Sequence, residues 1–230
     1  LLVQRFFETL THIPVEVHIA SEFAYYPPKL SSSPGFIFIS QSGETADSRN
    51  VLKKVTEQGY VSFSLTNNET STLAQEASFT LCLDAGIERS VASTKAYTAQ
   101  VVTLFILSCY FGQLLGYDHP WMRDYHQVLS NIADHIDHIS KHKDQIQQLS
   151  ETLLKDQDSL FLLGRGRDYD TAQEGALKIK EIAYLYAEGY PAGELKHGPI
   201  ALIEEGTPVI GICTEKYTVD QLMSNLVEVA

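Results

Sequence analysis

The sequence predicts an α/β protein in which helices cover parallel sheets. Short apolar runs alternate with amphipathic helical patterns along the chain, which is typical of parallel strands joined by crossover helices. A polar helical stretch interrupts this alternation near the middle, so the pattern indicates two α/β units with a helical connection. With 44% apolar and 20% charged residues, the 230-residue chain has enough apolar side chains for a buried core.

The first half carries a strand–helix–strand unit, followed by a third strand and a long helix. Residues 46–59 have an apolar stripe that includes Val51 and Val55, and Gly59 is a natural helix stop, so a helix is predicted there. A long apolar helix is predicted over residues 94–115. Buried strands are predicted at residues 36–40, 61–65 and 79–83.

The second half resumes the alternation after a polar connector. Isoleucine and leucine recur at helical spacing between residues 120 and 155, which predicts a pair of connecting helices. Beyond them the pattern predicts a strand at 159–164, a helix at 171–187, a loop, a short helix at 197–203, a strand at 207–213 and a final helix at 219–230. We therefore expect a first domain at residues 1–119, a helical connector at 120–150 and a second domain at 151–230.

The formal net charge of −12 argues against a nucleic-acid or anionic-membrane partner, because either polyanion would be repelled. The longest apolar stretch, residues 101–112, is interrupted by polar side chains and falls short of the ~20 residues of a membrane span. The N-terminal residues lack the pattern of a signal peptide. Three cysteines, odd in number and far apart, suit a reducing compartment. We expect a cytoplasmic protein with no membrane segment.

A hydroxyl-rich loop lies between the first predicted strand and the helix after it. Ser40, Ser42 and Thr45 surround a predicted helix N-terminus, where unpaired N–H groups attract anions. Gly43 has no side chain, so the backbone can approach a ligand closely at this point. This cluster suits a phosphomonoester, but an ordinary Ser/Thr helix cap would use the same residue types. Both interpretations remain open on the local chemistry.

Two further loops precede predicted helices. Residues 90–95 form a second Ser/Thr loop, for which an ordinary cap is the favoured interpretation. Residues 164–167 read Gly-Arg-Gly-Arg after a strand, as a dinucleotide-binding loop would begin. However, Tyr169 stands where the third glycine of that motif is expected, so we predict no nicotinamide site. We also predict no other cofactor. His135, His138 and His142 share a helical face, but charged neighbours favour a solvated face over a metal site.

Three charged residues are spaced to share one helix face. Glu174, Lys178 and Glu181 follow the i, i+4, i+7 pattern, which suits either a solvated ion-pair stripe or a proton-transfer pair in a cleft. His197 lies between glycines and a proline, so we expect it outside regular secondary structure and available to a site.

Several of these segments occur together in one known family. The segments SQSGETAD, VASTKAYTAQ, LGRG and EGALKIKEIAYLYAEGYPAGELKHGPIALI resemble the isomerase half of the glutamine:fructose-6-phosphate aminotransferases, also called glucosamine-6-phosphate synthases. The resemblance covers nearly the whole chain, and the GELKHGP block is its most specific part. It implies two doubly wound parallel-sheet sugar isomerase (SIS) domains joined by helices, both truncated in this chain, and usually a homodimer.

The resemblance also implies roles for individual residues. Glu181 would be the base that moves a proton between C1 and C2 of the sugar, and Lys178 would assist at the sugar oxygens. His197 would cross to the neighbouring subunit and open the sugar ring. The residues implied to bind the substrate are Ser40, Gln41, Ser42 and Thr45 at the phosphate and Val91 and Ser93 near the sugar.

The activity implied by the resemblance is the conversion of fructose 6-phosphate to glucosamine 6-phosphate, with ammonia from an upstream glutaminase domain. By the same resemblance, a further phosphate-binding Ser/Thr loop would precede Leu1, and an imine-forming lysine would follow Ala230. Two alternatives remain: another SIS-domain sugar-phosphate isomerase or deglycase, and a non-catalytic sugar-phosphate-binding regulator. Only the aminotransferase requires a glutaminase domain.

Overall fold

Two parallel three-stranded sheets form the centres of the two units into which the chain divides. The computed structural model describes residues 1–30 and 33–230. The first unit comprises Phe6–Asp118, and the second comprises His119–Ala230 together with Leu1–Arg5. Every strand pairing within both sheets is parallel, which confirms the predicted fold class.

The first unit contains a sheet with the strand order β1-β2-β3. Its strands are β1 (Phe36–Ser40), β2 (Ser62–Thr66) and β3 (Phe79–Cys82). The helices up to the end of this unit are α1 (Leu2–Thr11), α2 (Ala20–Tyr25), α3 (Ala46–Glu57), α4 (Thr72–Glu76) and α5 (Lys95–Leu114). The three strands and both α3 and α5 were predicted to within three residues at each end.

Packing of α3 on this sheet fixes the loop between β1 and α3. Val51, Leu52 and Val55 on one face of α3 are buried against Phe38 of β1 and Leu73 of α4. In the parallel register Ser40 pairs with Thr66, and Thr66 with Cys82, so the carboxyl ends of all three strands lie side by side. The five-residue helix α4 was not predicted, because a single turn and a half is too short to show helical periodicity.

Helix α5 has the length and the apolar composition that a membrane span requires, among the helices the structure describes. The apolar part of α5 extends beyond residues 101–112, which were the longest apolar stretch identified from the sequence. Ala96, Leu104 and Cys109 are buried within the protein, and helices in protein cores meet the same two criteria. Length and composition therefore do not assign α5 to a membrane.

The connector consists of α6 (Pro120–Arg123), α7 (Tyr125–Ser140) and α8 (Lys143–Leu153). The predicted pair of long helices is confirmed, with α6 as an additional short turn. No residue of α7 or α8 is buried in the described chain, and Ile136 and Leu149 are more than half exposed. Their apolar stripe therefore lies on the surface of this chain.

The second unit has β4 (Ser159–Gly164) at the centre of its sheet, between β5 (Tyr186–Pro191) and β6 (Val209–Gly211). Helix α9 (Arg167–Ala183) covers this sheet: Ala172 and Ala176 pack on Leu160 and Leu162. The remaining helices are the 3-10 turns Ala192–His197, Pro199–Leu202 and Lys216–Thr218, and α10 (Val219–Val227).

Four predictions for this unit were wrong. The helix predicted to residue 187 ends at Ala183, because Tyr184 adopts a left-handed conformation with φ of 55°. Residues 186–191 form β5, where the end of that helix and a loop were predicted, since all six pair with β4. His197 is the last residue of a 3-10 helix and so lies within a regular element. The strand predicted at 207–213 is shorter, because only the three residues of β6 pair with β4.

Candidate active site

The loop between β1 and α3 brings the hydroxyl groups of Ser40 and Thr45 together. Ser40 is buried at the end of β1, and its Oγ accepts a hydrogen bond from the N–H of Gly43 at 3.0 Å. The Oγ1 of Thr45 lies 3.2 Å from the same Ser40 Oγ. The Oγ of Ser42 accepts a hydrogen bond from the N–H of Glu44 at 3.2 Å. The predicted phosphate-binding residues therefore share one short, internally bonded loop.

Thr45 departs from the ordinary-cap interpretation of this loop. It is the N-cap residue of α3, but its side chain makes no capping hydrogen bond in the described structure. An ordinary cap would accept a hydrogen bond from the N2 or N3 backbone N–H. Because the hydroxyl of Thr45 lies beside that of Ser40 instead, the geometry favours an anion at the positive end of α3.

Gly43 is required by the local backbone. Its φ is +69°, a conformation that side chains with a Cβ rarely adopt. A Cβ on Gly43 would also lie 2.0 Å from the Oγ of Ser71, which is the N-cap residue of α4. The loop therefore packs directly on the segment that leads into α4.

A cavity of about 570 Å³ lies within the first unit at the carboxyl ends of its strands. Ligand pockets of this size are common, and parallel sheets place their ligands at this edge. Gln41 lines the cavity, so it connects the hydroxyl loop to this space. Asp84 and Glu88 also line it, which makes that part of the wall suited to sugar hydroxyl groups and unsuited to phosphate.

The second predicted loop is organised by Glu88, a residue that the sequence pattern did not single out. The Oε2 of Glu88 accepts a hydrogen bond from the N–H of Ala96 at 3.2 Å, so this carboxylate caps α5. The same oxygen lies 3.4 Å from the Oγ of Ser93. Val91 is 92% exposed. Since Glu88 lines the cavity, it holds Ser93 near that space.

Lys178 joins two carboxylates on α9. Its Nζ lies 2.8 Å from the Oε2 of Glu181 and 3.4 Å from the Oε1 of Glu174. Partial burial lowers the pKa of Lys178, but its hydrogen bonds and charge interactions with the two carboxylates raise it by more, so the net pKa is raised. The three side chains are 21–31% exposed, so the group is paired and still accessible.

His197 projects from the surface of the second unit. Its side chain is 74% exposed, and its Nε2 lies 3.9 Å from the Oε2 of Glu194. The described contacts of His197 do not include Glu181 or Lys178.

The N-terminal end of α9 differs from that of α3 because residues 214–225 cover it. Asp168 is buried and accepts hydrogen bonds from both the N–H and the hydroxyl of Thr214. Arg167 pairs with the buried carboxylate of Glu215. The guanidinium of Arg165 donates to the Oδ1 of Asn225 at 2.8 Å. The N-terminal end of α9 is therefore held by hydrogen bonds and an ion pair to residues 214–225 of the same chain.

The comparisons with known proteins agree with these features. The sequence model of the SIS domain family matches residues 2–107 and 153–230. This chain belongs to the SIS domain family. The match covers both sheets, the hydroxyl loop and the whole of α9.

Two relatives of this SIS-domain chain are named glutamine--fructose-6-phosphate aminotransferase [isomerizing]. The one from Lactiplantibacillus plantarum is 48% identical over 98% of this chain and 37% of its own length. The one from Oceanobacillus iheyensis is 48% identical over 100% of this chain and 38% of its own length. The resemblance noted from the sequence is thus confirmed, and the chain spans 37–38% of the length of these relatives.

A solved structure supports the same relationship. The C-terminal domain of glucosamine-fructose-6-phosphate aminotransferase from Francisella tularensis superimposes with a TM-score of 0.94 at 38% identity. The alignment covers 99% of this SIS-domain chain and 64% of that chain.

Proposed function

We propose that this SIS-domain chain is the isomerase portion of a glutamine:fructose-6-phosphate aminotransferase. The full-length protein would convert fructose 6-phosphate and glutamine to glucosamine 6-phosphate and glutamate. The observation that carries the proposal is the hydroxyl loop of residues 40–45, which lies at the N-terminus of α3 in a chain 48% identical to enzymes of that name. The loop supplies hydrogen-bond donors that can bind the phosphate group of a phosphorylated substrate.

Binding of the phosphate relies on neutral donors in this proposal. Ser40, Ser42 and Thr45 provide hydroxyl groups, Gln41 provides an amide, and the first turn of α3 provides backbone N–H groups. Such donors bind an anion locally although the net charge of the chain is −12. The sugar would extend from the loop into the cavity toward Ser93 and the backbone of Val91.

The chemical step in this proposal is a proton transfer between neighbouring carbons. A C–H bond next to a carbonyl or imine carbon is acidic, so a positioned carboxylate can take the proton from C1 and return it to C2. Glu181 would be this base. The ammonium of Lys178, 2.8 Å from Glu181, would stabilise the negative charge that develops on the sugar oxygens.

The proposal extends to the assembly and the location of the protein. The full-length protein would be a cytoplasmic homodimer with a glutaminase domain upstream of this chain and with no nucleic-acid or membrane partner. The SIS-domain chain would consist of domains at residues 1–119 and 151–230 joined by a connector at 120–150. His197 would enter the active site of the neighbouring subunit, which its 74% exposure permits.

The test of the proposed function is an assay of the full-length protein with fructose 6-phosphate and glutamine. We expect glucosamine 6-phosphate and glutamate in equal amounts, measured by mass spectrometry. Isomerisation of a sugar phosphate without use of glutamine would replace this proposal with another isomerase or a deglycase. Sugar-phosphate binding without turnover would replace it with a regulator.

Mixing two inactive variants tests whether His197 crosses between subunits. A heterodimer of Glu181→Gln and His197→Ala subunits would contain one intact site if His197 acts in the neighbouring subunit. Random exchange of subunits should then restore about a quarter of wild-type activity, since half of the dimers are mixed and each has one active site. If His197 served its own subunit, every site would lack one residue and no activity would return.

A further inference from the structure

Glu44 forms a two-point contact between the hydroxyl loop and α4. Its Oε1 accepts a hydrogen bond from the N–H of Thr72 at 2.7 Å, and its Oε2 accepts one from the Oγ1 of Thr72 at 2.8 Å. Thr72 is the first residue of α4, so the carboxylate meets an otherwise unpaired helix N–H group. Arg49 of α3 lies 3.4 Å from the same Oε2.

The presence of a carboxylate in a loop suited to an anion requires an explanation. A free negative charge on Glu44 would oppose phosphate binding. The hydrogen bonds from the backbone and the hydroxyl of Thr72 lower the pKa of Glu44, and the charge of Arg49 lowers it further. The carboxylate is therefore ionised at neutral pH, is bonded to α4, and has its charge opposed by a neighbouring guanidinium.

Two backbone hydrogen bonds join the loop to the same segment. The N–H of Asn67 donates to the carbonyl of Gln41, and the N–H of Leu73 donates to the carbonyl of Gly43, each at 3.1 Å. With the contact of Glu44, the loop is attached at three points to residues 67–73, which we call the support segment. Glu44 provides the only one of these three attachments that comes from a loop side chain and can be removed by substitution.

The support segment also lines the cavity. Asn67, Asn68 and Thr70 belong both to the segment and to the cavity wall. A change in the contact between loop and segment would therefore alter the position of the phosphate-binding groups relative to the space for the sugar.

We propose that Glu44 is a positioning residue that holds the phosphate-binding loop on the support segment. This inference rests on the proposed function of the loop in binding a phosphorylated sugar. Glu44 does not touch the substrate in this arrangement: it acts by holding the loop that carries the hydroxyl groups of Ser40, Ser42 and Thr45 against the support segment.

The test compares full-length wild-type protein with Glu44→Ala and Glu44→Gln. We expect Glu44→Ala to raise the KM for fructose 6-phosphate about tenfold with kcat changed less than about twofold, because a lost charge-assisted contact weakens phosphate placement. Glu44→Gln retains one acceptor oxygen and should raise KM by a smaller factor. Glu57→Ala removes an exposed carboxylate at the end of α3 and should leave both constants unchanged.

The split between KM and kcat separates positioning from general stability. If Glu44 only stabilised the fold, Glu44→Ala would lower kcat in proportion to the folded fraction and leave KM unchanged, and that result would overturn the inference. Equal kinetic constants in Glu44→Ala and wild type would overturn it as well. Thermal unfolding of each variant measures the folded fraction.

Calorimetric titration with inorganic phosphate distinguishes failure of the inference from failure of the proposed function. If the wild-type protein binds phosphate but does not form glucosamine 6-phosphate, the proposed function fails, and weaker phosphate binding by Glu44→Ala still supports the positioning role. Equal phosphate affinity in the two proteins overturns that role. A wild-type protein that binds neither phosphate nor fructose 6-phosphate overturns both.

Discussion

Replacing Glu181 by Gln in the full-length protein is expected to lower the formation of glucosamine 6-phosphate about 10³-fold, because the amide cannot accept the proton from C1. Binding of fructose 6-phosphate should change little, since Glu181 lies on α9 and the proposed phosphate-binding loop of residues 40–45 is in the other unit. Product formation measured by mass spectrometry and binding measured by calorimetry test the two parts. Incorporation of solvent deuterium at C1 and C2 should be lost together with product formation.

Glu174→Gln is the matched control for this substitution. Glu174 also contacts Lys178, at 3.4 Å, and the substitution changes the charge of α9 by the same amount. We expect Glu174→Gln to retain most of the activity. Deuterium exchange that persists in Glu181→Gln would contradict the assignment of the base. An equal loss in the two variants would show that the charge around Lys178 matters and that no single carboxylate acts as the base.

Replacing Gly164 by Ala should destabilise the second unit by about 3 kcal/mol, because the new methyl group would overlap the backbone of α9. A Cβ at this position would lie 2.3 Å from the carbonyl carbon of Asp168 and 2.4 Å from the N of Tyr169. Backbone atoms in a helix cannot move aside singly, so the whole of α9 would have to shift away from β4. Denaturant unfolding of the full-length protein measures the change in free energy.

Gly35→Ala provides the control for the stability measurement. A Cβ on Gly35 would have no heavy atom of the described residues within 4 Å, and the φ of this glycine is not positive. Its replacement by Ala should change the free energy of unfolding by less than about 1 kcal/mol. A loss of stability in Gly164→Ala no larger than in Gly35→Ala would show that α9 and β4 separate at little cost.

The sequence predicted those elements whose local pattern and tertiary environment agree. Helix α3 shows an apolar stripe that becomes its buried face, and strand β4 is an apolar run that is buried almost throughout. Strand β5 was missed because its first two residues were assigned to the preceding helix and the other four to a loop, whereas pairing of all six with β4 determines their conformation. Local propensity is a weak guide where partners distant in the sequence compete with it.

The candidate site divides in the same way. Ser40, Ser42 and Thr45 could be selected because they are close in sequence and precede a helix. Glu44 could not, because its partner Thr72 is 28 residues away and nothing local indicates that contact. Glu88 was missed for a related reason: its two contacts depend on the turn of the chain before α5. The roles of Glu181 and His197 came from the family resemblance and stay predictions.

Because the N-terminal end of α9 is attached to residues 214–225, a small rotation at that end produces a larger displacement at the far end of the helix. Glu181 is 14 residues beyond Arg167, which places it about 21 Å along the helix axis from the attached end. A tilt of about 5° at that end would move the carboxylate by about 2 Å, and displacements near 1 Å can cost two orders of magnitude in rate. Asp168, Thr214 and Glu215 thus help to position Glu181, the proposed base, although none of them touches it.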